Sequence, residues 1–108
     1  MLVADGAVAE LIQADVDFHS MIYRLSGNAA IAETVAGQWP HFMRSMGQVL
    51  TGPRARQRVW DEHAHILACI LAANSAEAEA AARDHAGRTG EETARRLEVI
   101  ANTKPKIA

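Results

Sequence analysis

Three short clusters of helix-breaking residues cut this chain into segments that are too long for strands. Ser26-Gly27-Asn28, Thr51-Gly52-Pro53 and Asn74-Ser75 are the punctuation, and between them apolar residues recur at three- and four-residue spacing. The first segment, 5–25, carries Val8, Leu11, Ile12, Phe18, Ile22 and Leu25 on one stripe; glycine at 27 suits a helix stop and Asn28 suits a cap. The second, 29–50, has Ile31, Val35, Trp39, Phe42, Met43, Met46 and Leu50, with Pro40 inside the stripe. A proline there removes a backbone donor and predicts a kink or break near Gly37–Trp39. The third spans 54–73 and the fourth 76–100, the last weakened at Gly87 and Gly90. Alanine is frequent, β-branched residues are sparse, and no alternating run flanked by Asn-Gly or Asp-Gly is present. The expected fold is all-α: short connections make successive helices antiparallel neighbours in an up-down bundle.

A chain of 108 residues can bury one core, so residues 1–108 are expected to form a single domain. The net charge of −2 supplies no basic field to draw nucleic acid. Cys69 is the lone cysteine, which excludes an intramolecular disulfide and suits a reducing cytoplasm. No apolar run approaches the roughly 20 residues of a membrane span, and the N-terminus lacks a signal-peptide layout.

Chemistry enters where polar residues interrupt the stripes. Asp15 and His19 are four apart and fall in the gap of the first stripe. On the third segment Val59, Trp60, Ile66, Leu67 and Ile70 bracket His63, and on the fourth Ala78, Ala81 and Ala82 lead to His85. Residue 74 is the midpoint between these two histidines, so each lies eleven residues from the turn, about 16 Å along its helix. Equal distances put His63 and His85 at one level of an antiparallel pair, facing each other. A carboxylate and three imidazoles on inward faces must neutralise, pair or bind a cation. One reading is a satisfied polar cluster in which Asp15 orients His19. The other is a first shell for Zn²⁺ or Ni²⁺ with positions left for water or ligand.

These residues also carry a resemblance. Asp15-Val16-Asp17-Phe18-His19 with Leu25-Ser26-Gly27-Asn28 resembles the D-x-x-F-H…S-G-N signature of the C-terminal effector-binding (FCD) domain in the FadR branch of GntR-family transcription regulators. Glu62-His63-Ala64-His65-Ile66-Leu67-Ala68-Cys69-Ile70 resembles that family's E-H-x-x-I-L-x-A-I, and the alanine-rich stretch 74–85 ending Arg83-Asp84-His85 resembles its last motif. Together they cover about residues 5–100. The resemblance implies a FadR-like bundle with metal ligands at Asp15, His19, His63 and His85. It also implies a small organic acid as effector, a homodimer, and DNA binding through a linked winged-helix domain. That reader and the family's earliest helices are expected to be missing here, leaving a bundle truncated at the N-terminus and apolar surface for a partner to cover.

Other residues take weaker readings. Arg44, with His41 beside it, is placed to clamp an effector carboxylate, or else the two form a surface pair. His65 points away from His63, towards the surface or an interface. Glu62 and Asp84 diverge by about 100° from their neighbouring histidines and are left out of the ligand set. Trp39 and Trp60 read as core or dimer anchors, Cys69 as a small core residue, and Arg83, Arg88, Arg95 and Arg96 as a solvated face. Two competing functions remain open: a metal-dependent hydrolase or transferase, for which no general acid or base can be named, and a metal-free dimerisation module.

Overall fold

The computed structural model describes residues 5–103, with side chains from residue 7 onward, so the expectation of one domain over 1–108 reaches past the described residues at both ends. All elements among the described residues are helices: α1 (Asp5–Leu25), α2 (Ala29–Ala36), α3 (Trp39–Leu50), α4 (Pro53–Leu71) and α5 (Ser75–Thr103). The fold is all-α. Among the described residues no helix is long and apolar enough to cross a membrane. The break predicted near Pro40 is complete and separates α2 from α3, with the proline in the first turn of α3, where its missing N–H costs nothing.

The chain divides into two compact units, Met1–Pro53 and Arg54–Ala108. In the first, α1 packs on α2 and α3. Gly47 of α3 lies so close to α1 that an added Cβ would stand 3.5 Å from Ile12 Cδ1. Asn28 caps α2, its side-chain oxygen accepting from the Ala30 N–H at 3.0 Å. Gly27 has φ +72°, the left-handed stop expected of it. Val49 and Leu50 are fully enclosed, whereas Leu25, Ile31 and Phe42 are exposed although they continue the apolar stripes.

The second unit is a helical hairpin. The buried residues of α4 are Ala55, Val59, His63, Ile66 and Cys69, a stripe at four- and three-residue intervals with His63 at its centre. Helix α4 stops at Leu71, two residues before the expected end. There the Asn74 N–H bonds the Cys69 carbonyl and the Ala73 N–H bonds the Ile70 carbonyl, both at 3.0 Å, while Ala73 takes φ 56°. This is the helix stop usually built with glycine, here imposed on an alanine. The Asn74 side chain then accepts from the Glu77 N–H and starts α5.

Helix α5 runs unbroken through Gly87 and Gly90, so the weakening predicted there does not end it. An added Cβ at either glycine meets nothing within 4 Å. Opposite exchanges at the two kinds of position should therefore both stabilise. Ala73→Gly removes a left-handed alanine and Gly87→Ala removes a helix-interior glycine, each worth about 1 kcal/mol. Urea unfolding of the two single variants checks the pair; a loss of stability in either contradicts the backbone assignment at that position.

Candidate metal centre

Each unit carries a pair of candidate ligands of its own. On α1, Asp15 and His19 sit one turn apart, and the helix brings Asp15 Oδ1 to 3.1 Å from His19 Nε2. Asp15 is buried at 5 % exposure, and His19 is partly buried. Two donors that share one ion at about 2.0–2.2 Å stand about 3 Å apart, so this spacing fits a bidentate half-site without rearrangement. The ring of His19 also lies near Phe18 and Tyr23, at centroid distances of 5.5 and 6.5 Å. Burial pushes the Tyr23 phenol up from its ordinary value, and the negative charge of Asp15 adds to that shift.

On the hairpin, His63 and His85 are both buried, at 6 and 4 % exposure. Their rings meet edge to face with centroids 4.8 Å apart, the level match that equal distance from the turn predicts. Ring nitrogens of the two lie within 4.8 Å of each other. Trp60 covers one side of His63, with ring centroids 5.4 Å apart.

Glu62 is the residue that helical arithmetic passed over. Its direction on α4 does diverge from that of His63, but its carboxylate reaches across the hairpin to α5. Oε1 accepts from His85 Nδ1 at 2.8 Å and from Arg58 Nη1 at 2.7 Å, and Oε2 accepts from Arg88 Nη1 at 2.6 Å. Burial alone would raise the Glu62 carboxyl. The hydrogen bonds from His85 and Arg88 and the charge of Arg58 outweigh it and hold the group below the usual carboxylate range. One signal pointed here: Glu62 is twelve residues before residue 74 and His85 eleven after it, so the turn symmetry that pairs the histidines also brings this carboxylate to their level. Arg88 is correspondingly more than part of a solvated face, although its side chain remains 56 % exposed. Arg83, Arg95 and Arg96 do behave as solvated residues, pairing with Glu79 and Glu92 on their own helix.

The other candidates stand apart from these pairs. Arg44 donates to His41 Nδ1 at 2.7 Å, both on α3 and both exposed. His65 is exposed, with its Nε2 3.9 Å from the Sγ of Cys69, which is itself buried as a small core residue. Asp84 is exposed on α5. Trp39 is half-buried in a ring sequence with Tyr23 and Phe42, at 6.4 and 5.9 Å.

Three imidazoles and one carboxylate are a donor set that a divalent transition metal accepts, and the local spacing on α1 and on the hairpin suits it. The family model described as the FCD domain matches residues 2–88, a range that takes in all four candidate ligands. No curated protein and no solved structure matches the chain.

Proposed function

Since the chain belongs to the FCD domain family, the effector-binding domain of GntR-type transcription regulators, we propose that it is a metal-dependent sensor of small organic acids. Asp15 and His19 from α1 and His63 and His85 from the hairpin supply the donors for one divalent ion, Zn²⁺ or Ni²⁺. The observation that carries this reading is the pairing on each unit: a buried carboxylate 3.1 Å from an imidazole nitrogen, and two buried imidazoles in ring contact. When bound, the ion supplies a Lewis-acidic position that attracts a carboxylate.

What the chain's own residues do follows from their chemistry. Asp15 and His19 hold their donors one turn apart on a continuous helix, so their spacing is set by the backbone. Arg44, whose guanidinium already donates to His41, is the cation assigned to an effector carboxylate. Effector binding alters DNA affinity only through a difference in affinity between two states of the regulator, and DNA contact itself is assigned to a winged-helix segment. Exposed Leu25, Leu71, Leu97 and Val99 favour a homodimer as the working form, in the cytoplasm, where Cys69 stays reduced.

The test is a thermal-shift screen of small mono-, di- and tricarboxylates against Zn²⁺-loaded protein. At least one acid class should raise the melting temperature by several degrees, lose that effect in EDTA, and be recovered chemically unchanged. No stabilising acid in the metal-loaded screen sinks the sensor reading, and conversion of a stabilising acid to product replaces it with catalysis.

A further inference from the structure

The hairpin holds one polar arrangement that the ligand set leaves unexplained: the half-buried carboxylate of Glu62 with three cationic or potentially cationic donors on it. We infer that Glu62 is a positioning residue for His85, fixing which ring nitrogen faces the metal; this rests on the metal-dependent reading above. The side chain of His85 is 5 % exposed, so its ring is enclosed, while the carboxylate of Glu62, 12 % exposed, borders the groove between the two helices.

The chemistry is direct. An ionised carboxylate can only accept, so at 2.8 Å the Nδ1 of His85 must carry the hydrogen. A neutral imidazole with its proton on Nδ1 has its lone pair on Nε2, and that lone pair is what a metal requires. The hydrogen bond also orients the ring, so less freedom is lost when the ion arrives.

Two guanidiniums explain why Glu62 serves this role and is not a ligand itself. Arg58, one turn earlier on α4, takes Oε1, and Arg88 of α5 takes Oε2. Both oxygens are thus occupied by donors from both helices of the hairpin. Charge-assisted bonds of 2.6–2.7 Å tie the carboxylate down and offset its charge. Arg88 extends the arrangement to the surface, where it lines an open groove between α4 and α5 together with Arg54 and His65.

The experiment uses the full chain and Zn²⁺ alone as probe. Zn²⁺ affinity is read by competition with a chromophoric chelator, and the His85 tautomer by ring ¹⁵N NMR of the metal-free protein. Wild type should show His85 protonated at Nδ1. Glu62→Gln should mix the tautomers and weaken Zn²⁺ binding about 10–100-fold, while Glu62→Asp recovers part of the loss. Arg88→Ala, a change at an exposed side chain, keeps the fold and should cost a smaller factor through the loosened Oε2. Zn²⁺ binding by Glu62→Gln as tight as wild type, or a wild-type His85 protonated at Nε2, overturns the inference and leaves the metal reading standing. Wild-type protein that binds no Zn²⁺ overturns the metal reading, and the inference falls with it.

Discussion

Zn²⁺ or Ni²⁺ added to the metal-free protein at about a thousandfold over its dissociation constant should stabilise the fold by about 4 kcal/mol. For a chain of this size that is a rise in melting temperature on the order of 15 °C, read by differential scanning calorimetry. The reason lies in linkage: the proposed centre requires donors that only folding could assemble, and such a set binds an ion far better than the same side chains in the unfolded chain. Asp15→Ala and His63→Ala should each abolish most of the rise, because each removes one donor of the set. His65→Ala should leave it intact, since His65 is exposed on α4 and directed away from the His63–His85 contact. An unchanged melting temperature in wild type on adding either metal would refute the proposed centre. Loss of the rise in His65→Ala would mean that the wrong histidine has been chosen on α4.

Ile66→Ala should cost about 2–5 kcal/mol, a large share of the stability of a small domain. Ile66 is 2 % exposed on the buried stripe of α4, between His63 and Cys69, so its truncation leaves a void inside the hairpin's packed face. Leu71→Ala, at a side chain 78 % exposed near the end of the same helix, should change monomer stability by less than about 0.5 kcal/mol. Urea denaturation at low protein concentration measures both, and equal losses in the two variants would contradict the burial pattern. The same pair bears on dimerisation. If Leu71 is covered by a second copy, the deficit of Leu71→Ala relative to wild type grows as protein concentration rises, and sedimentation velocity follows the shift in association.

The proposed centre and its surroundings differ in how far they could be read from residue order. The break before Pro40, the stop at Gly27, the cap at Asn28 and the level match of His63 with His85 all rest on interactions within a few residues, or on counting from a turn. Local backbone chemistry and a fixed rise per residue are enough to set them. The exposure of Leu25, Ile31 and Phe42 was not legible in the same way. Periodicity gives the direction of a side chain, and burial depends on what stands opposite. The end of α4 was misplaced for a related reason: alanine gives no warning of a left-handed residue, and the stop at Ala73 comes from carbonyls that Asn74 and Ala73 themselves satisfy.

Glu62 shows the division most clearly. Its 100° offset from His63 is a true statement about α4, and on that ground a single helix excludes it from the histidine site. A glutamate side chain has three rotatable bonds, enough to reach from one helix of the hairpin to the other, and neither its reach nor its partner is set by helical period. Residue order by itself determined an all-α chain with the break points that define its helices, and it placed Asp15, His19, His63 and His85 on its apolar stripes. The tertiary structure alone decided which group holds His85 by its outer nitrogen, because that contact joins side chains 23 residues apart through the packing of two helices.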